Sequence, residues 1–147
     1  MEDFLETSLK KIVILGAGKI AEVAYRCFST DGGREVVAFS VEDEFHHGDV
    51  YLDLPVIRIS ELKKRFPPRS FDIFIAVGYQ EINGLRARLF SHCHDLGYNF
   101  ASYCSPSAWV YNGFLVPKNF FLMASSVIQP GVVVADNVFI FSGVMVG

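Results

Sequence analysis

The sequence predicts an α/β fold: an N-terminal Rossmann-like parallel sheet followed by the start of a left-handed parallel β-helix. Three observations carry this. Short β-branched runs alternate with stretches of helical periodicity across residues 11–97. The first run ends in a glycine-rich turn that opens a helix. From Val110 onward, aliphatic residues recur at every sixth position.

The run Lys11-Ile12-Val13-Ile14-Leu15 is short and continuously apolar, as expected of a strand buried on both faces. It leads into Gly16-Ala17-Gly18-Lys19-Ile20-Ala21, the G-x-G-x-x-A form of the dinucleotide fingerprint. Gly16 permits a tight turn, Gly18 lets a phosphate approach the backbone, and Ala21 lets the helix pack close to the strand. Ile20, Val23, Ala24, Cys27 and Phe28 mark that helix at spacings of three and four. Its N-terminus offers free N–H groups and a partial positive charge to an anion.

Asp31-Gly32-Gly33 is a turn, and Glu35 to Ser40 is the second strand. Acids follow in Val41-Glu42-Asp43-Glu44. One acid there can hold ribose hydroxyls; as surface loop residues they can equally be solvated. Leu54 to Ile59 is extended, Ser60 is a candidate N-cap, and Glu61 to Phe66 is a short helix stopped by Pro67-Pro68. Lys63 stands where a capping box needs Glu or Gln. Phe71 to Val77 is a further buried strand, ending in Gly78. Ile82, Leu85, Leu89, Cys93 and Leu96 share one helical face, and Gly97 closes that helix. Asn99 to Cys104 reads as one more strand.

Sheets of this kind bind ligands at the carboxyl ends of their strands. Three such ends converge: Gly16 to Ala21, Ser40 to Asp43, and Gly78-Tyr79. Tyr79 can stack on a ring. Gly78 either admits a ligand to the backbone or simply makes a turn.

Val110, Val116, Leu122, Ile128, Val134, Ile140 and Val146 keep one six-residue frame, with Phe114, Phe120, Ser126, Val132, Val138 and Val144 four positions on. Turn-forming residues fill much of the rest: Asn112-Gly113, Ser125, Pro130-Gly131, Asp136-Asn137 and Ser142-Gly143. A run of hairpins would instead alternate with period two. Each unit is expected to form one face of a triangular coil, with Phe114 and Phe120 in its core and Phe121, Phe139 and Phe141 outward. Residues 1–106 are then expected to form the α/β domain and 107–147 the first coils. The coil is incomplete at Gly147, so a truncated chain is expected.

The formal charge of −3 gives no reason to expect nucleic-acid binding. No apolar run reaches the ~18 residues of a membrane span. Met1 to Leu9 is acidic and lacks a signal-peptide pattern, so a cytoplasmic protein is expected. Cys27, Cys93 and Cys104 share no metal-type spacing and read as reduced packing residues. His92 and His94 are two apart on a helix and point in different directions, so no metal is expected there. His46-His47 sits in an acidic loop.

The segments KIVILGAGKIAEVA (11–24), FDIFIAVGYQEINGLR (71–86), GYNFASYCSPSA (97–108) and Asn119 to Gly147 together resemble a known family. It comprises the hexapeptide-repeat sugar O- and N-acyltransferases, typified by NeuD-like sialic acid O-acetyltransferase and by enzymes that acetylate nucleotide-linked 4-amino sugars. The resemblance implies a Rossmann-like domain that binds a nucleotide-sugar. It also implies a trimer built by the β-helix, with acetyl-CoA as co-substrate held between neighbours. Gly16, Ala17, Gly18, Lys19 and Ile20 would cradle the diphosphate. Ser40, with Glu42 or Asp43, would lie near base and ribose, Gly78 and Tyr79 across the base, and Asn83 and Arg86 at the next helix start. Lys19 departs from the small residue common in the family. The family's catalytic base is a β-helix histidine beyond a segment like 141–147, and no histidine lies in 107–147. The resemblance therefore implies that this chain binds substrate without transferring the acyl group.

Two other classes fit parts of the sequence. Gly16 to Ala21 also suits the NAD-binding domain of an oxidoreductase, although such a domain has no need of the six-residue repeat. The aromatic residues of 114–141 suit a non-catalytic assembly module, with a trimer expected through the outward-facing Phe121, Phe139 and Phe141.

Overall fold

The computed structural model describes residues 9–147; most of the acidic N-terminal stretch lies outside the described residues. Five strands form the first sheet: β1 (Lys11–Leu15), β2 (Val36–Val41), β3 (Val50–Tyr51), β4 (Leu54–Arg58) and β5 (Phe71–Ile75). Their order is β3-β4-β2-β1-β5. The last four in that order run parallel, and β3 adds an antiparallel edge. The sequence reading did not anticipate β3. It exists because Leu52 and Asp53 both take left-handed backbone angles (φ 49° and 63°), closing a two-residue hairpin into β4.

Helices α1 (Lys19–Thr30), α2 (Leu62–Arg65) and α3 (Gly84–Asp95) complete the α/β half. The alternation within β1 explains their placement. Ile12 and Ile14 pack with Ala21, Ala24 and Phe28 of α1. Val13 and Leu15 point the other way, onto Leu62 of α2 and Leu85, Leu89 and Cys93 of α3. All four of these β1 residues are essentially fully buried, as a doubly covered strand requires.

Several local expectations change. Ser60 is not an N-cap: it lies inside a 3-10 turn (Ile59–Glu61), and Glu61 precedes α2. Its N–H is taken by Asp43 Oδ1 at 3.2 Å. Ile82 does not join the buried face of α3. Glu81, Ile82 and Asn83 all have positive φ, so the helix starts at Gly84 and leaves Ile82 80 % exposed. The segment Asn99 to Cys104 is shared between two structures. Phe100 bridges to Ile73 at the β5 edge, whereas Tyr103–Cys104 (β6) pairs with the C-terminal half.

In that half, β6, β8 (Phe121–Leu122) and β10 (Phe139–Ile140) stack in parallel, and so do β7 (Trp109–Val110), β9 (Val127–Ile128) and β11 (Met145–Val146). Partners in register lie eighteen positions apart: Tyr103 with Phe121 with Phe139, and Val110 with Ile128 with Val146. The corners repeat as well. Gly113, Asn119, Ser125, Gly131, Asn137 and Gly143 all have positive φ, one every six residues. Glycine and asparagine tolerate that conformation, which is the physical content of the turn residues in the repeat.

Phe120, Leu122 and Ile128 are fully buried inside the stack, with Val110, Phe114, Val132, Val134, Val138 and Val146 against them. Val116 departs from the frame. It is 55 % exposed, beside Leu115 and Val133 on a side that carries no strand ladder among the described residues.

Two of the three outward phenylalanines are not a free surface. Phe121 is buried in the α1-side core, and Phe139 packs against the same cluster. Phe74 of β5 meets both, with ring centroids 5.5 Å from Phe121 and 5.6 Å from Phe139. Only Phe141 stays exposed. The stack points these rings outward from its own core and into the sheet's.

Candidate functional site

The carboxyl ends of β1 and β2 enclose a cavity of about 200 Å³. Gly16, Ser40 and Glu42 line it, together with apolar residues from β1, α3 and the loop after β5. Gly16 is required by the backbone. Its φ is +120°, and a Cβ there would stand 2.5 Å from the Ala76 carbonyl oxygen. Its N–H donates to the Ser40 carbonyl, fixing the turn against β2. The Ser40 hydroxyl is fully buried and has no hydrogen-bond partner among the described residues. Such an orphan costs about 1–3 kcal/mol unless something arrives to satisfy it.

The two candidate acids have different surroundings. Glu42 lines the cavity, where Arg88 Nη2 reaches its Oε1 at 3.4 Å. Arg88 also pairs with Glu81 at 3.2 Å, so one guanidinium bridges the loops after β2 and β5. Asp43 instead accepts the Ser60 N–H, and hydrogen bonds from Ser60 hold its carboxyl below the usual range. It ties the loop to the turn before α2.

Ala17 is half-buried and Gly18 exposed between β1 and α1. Gly18 is the N-cap of α1 and supplies no side-chain cap. Its carbonyl accepts the Tyr51 hydroxyl at 3.1 Å. Nothing lies within 4 Å of where a Gly18 Cβ would be, so open space faces the fingerprint there. Lys19 is turned along the helix, paired with Glu22 at 3.2 Å, and its side chain is mostly exposed.

The remaining candidates gather elsewhere. Ile20, Gly78, Tyr79 and Asn83 line a second cavity of about 110 Å³, with Arg86, Phe139 and Phe141. Of the predicted residues, Gly16, Ser40 and Glu42 thus line the first cavity and Ile20, Gly78, Tyr79 and Asn83 the second, whereas Ala17, Gly18, Lys19 and Asp43 line neither. Arg86 is buried, its guanidinium 4.3 Å over the Phe139 ring, and burial lowers its pKa. Sequence reasoning placed Arg86 only at a helix start. Its spacing of three from Leu89 and seven from Cys93, both buried, could have marked it as inward-facing. Arg88 and Tyr51 had no such signal, because long-range pairing brings them to the loops.

Among the described residues no group of three His, Cys, Asp or Glu side chains is placed to hold a metal ion. Burial pushes the Cys93 thiol up to about 12 and raises those of Cys27 and Cys104, which suppresses thiolate chemistry. No described helix is long and apolar enough to cross a membrane.

No family model and no curated protein matches the chain. Solved structures do. The acetyltransferase domain of PglB from Neisseria gonorrhoeae FA1090 aligns over 93 % of this chain and 67 % of its own, at 24 % identity and a TM-score of 0.72. PerB from Caulobacter crescentus, solved with CoA and GDP-perosamine, aligns over 95 % of this chain and 63 % of its own, at 24 % identity and a TM-score of 0.79. The PglB domain in complex with acetyl coenzyme A aligns at 25 % identity and a TM-score of 0.71. The chain spans about two thirds of the length of these proteins. At this level of identity the likeness establishes a shared α/β fold with parallel sheets.

Proposed function

We propose that this chain is the nucleotide-sugar-binding part of a cytoplasmic, acetyl-CoA-dependent sugar O- or N-acyltransferase. One observation carries the reading. A cavity lies at the carboxyl ends of β1 and β2, and a second one beside it is lined by Ile20 and Gly78 together with Phe139 and Phe141 of the stack of eighteen-residue turns. The same fold occurs in acetyltransferases solved with CoA and GDP-perosamine or with acetyl coenzyme A. On this reading residues 1–106 are a Rossmann-like binding domain and 107–147 are coils of a left-handed β-helix.

Gly16, Ala17, Gly18, Lys19 and Ile20 carry the diphosphate on backbone N–H groups at the α1 N-terminus. The Lys19 ammonium, held by Glu22, contributes little. The orphan Ser40 hydroxyl and Glu42 face ribose and base in the larger cavity. Asp43 supports the loop, and Gly78, Tyr79 and Asn83 line the neighbouring smaller cavity. Acyl transfer needs a base to take the proton of the attacking amine or hydroxyl. None of the four histidines, His46, His47, His92 and His94, lines either cavity, so on this reading the cavity residues bind substrate without activating it. The exposed Leu115, Val116 and Val133 suit a contact between copies in a trimer, with acetyl-CoA between neighbours.

Calorimetric titration with UDP, dTDP, GDP, CMP and NAD tests this. Saturable binding of one nucleotide other than NAD is expected. Preference for NAD would replace the reading with a redox domain. With acetyl-CoA and nucleotide-linked amino sugars no thiol release is expected; sustained release would show that a base is present.

A further inference from the structure

The smaller cavity contains a charge that the protein does not balance. Arg86 is 8 % exposed, and among the described residues no carboxylate lies within ion-pair distance of it. Its Nε–H has no acceptor, and its hydrogen bond is a long one from Nη2 to the Asn137 carbonyl, 3.4 Å. The Phe139 face offsets part of this, yet a buried guanidinium with five donors ordinarily has an anionic partner.

The surroundings make the imbalance larger. Arg86 is in the first turn of α3, where the helix dipole already disfavours a cation and no acid is present. Asn83 is the N-cap of α3 and makes no side-chain cap, and Gly18 makes none for α1. The first turns of two twelve-residue helices, through Ile20 and through Asn83 and Arg86, therefore border one cavity. No acidic residue lines it. Gly78 leaves its floor open: the nearest atom to a Cβ there would be Ile20 Cγ1, 3.9 Å away.

We propose that this cavity is an anion subsite in which Arg86 and the α1 and α3 N-termini hold a phosphate of the bound nucleotide-sugar's diphosphate. The proposal rests on the nucleotide-sugar reading above and deepens it. The nucleoside occupies the cavity at Gly16, and the chain passes over Val77 and Gly78, neighbours that line one cavity each. Arg86 thus becomes a specificity residue for the charged bridge, separate from the base and ribose contacts.

The test titrates the full chain and its R86M and R86K variants with inorganic pyrophosphate, inorganic phosphate, the nucleoside diphosphates and the matching uncharged nucleosides. Pyrophosphate should bind the unmutated chain at least tenfold more tightly than R86M, with R86K between, while nucleoside binding stays within twofold. Preference for pyrophosphate over phosphate supports a diphosphate; equal binding of the two overturns that assignment. Unchanged pyrophosphate affinity in a folded R86M overturns the subsite. If R86M does not fold, crystals of the unmutated chain soaked in pyrophosphate decide: density against the Arg86 guanidinium supports the proposal, and density elsewhere overturns it. Nucleoside diphosphate binding that ignores R86M leaves the nucleotide-sugar reading standing and removes this one. Arg86-dependent pyrophosphate binding with no nucleotide binding does the reverse.

Discussion

At the residue scale, the two glycines of the fingerprint do different work. Gly16 is confined by its positive φ and by the Ala76 carbonyl 2.5 Å from any Cβ. Gly18 has extended backbone (φ −112°, ψ −161°) and open space. G16A should therefore destabilise the fold by about 2–4 kcal/mol in urea unfolding, since both strain and overpacking oppose it. G18A should leave stability within about 0.5 kcal/mol, as for a surface change, yet weaken nucleoside diphosphate binding by narrowing the approach to the backbone. Asn119 is the other decisive residue. It is fully buried, its Oδ1 accepts the Ile75 N–H at 2.8 Å, and its Nδ2 donates to Asn137 Oδ1 at 2.8 Å. N119A strands the Ile75 N–H and places alanine at φ 48°, so a loss of about 2–4 kcal/mol is expected in the same assay.

At the element scale, α3 and the turn after it set a limit at high pH. Burial pushes the Cys93 thiol from its ordinary 9.0 to about 12, and burial with the nearby Cys93 pushes Tyr98 from 10.0 to about 12. Both groups release protons from the unfolded chain first. Their contribution is complete below about pH 9 and is lost as pH rises toward 12. Urea midpoints should fall across that window, and C93A should make the fall shallower. An equal slope in C93A would place the effect elsewhere. The coil elements depend on repetition instead. Each two-residue strand is too short to persist alone, and it survives because ladders and left-handed corners recur in register.

At the scale of the whole molecule, the two halves share a core. Phe74, Phe121 and Phe139 form an aromatic seam between sheet and stack, and Asn119 pins the stack to β5 through both polar atoms of the Ile75 backbone. Every helix among the described residues lies in the α/β half, and the single tryptophan, Trp109, lies in the stack. Helical circular dichroism and Trp109 fluorescence should therefore report one coincident unfolding transition. F121A should lower it by about 3–5 kcal/mol. Two separated transitions would mean that the seam does not couple the halves.

Much of this architecture is legible in the amino-acid sequence. The alternation of Ile12, Val13, Ile14 and Leu15 announced a strand covered on both faces, and the six-residue frame with its glycines and asparagines announced the stacked turns. These signals are local or periodic, and backbone sterics and side-chain direction act over a few residues. The hairpin of β3, the left-handed Glu81-Ile82-Asn83 turn and the division of Asn99 to Cys104 were not legible, because each depends on a partner distant in sequence. The same holds at the candidate site. The sequence by itself determined which loops carry glycine, acid and tyrosine. Tertiary packing alone decided that Asp43 is engaged by Ser60, that Glu42 faces the cavity, and that Phe121 and Phe139 serve the sheet. It also decided that Arg86 is buried beside two helix ends without a counter-charge, since burial and electrostatic balance are set by what packs around a residue.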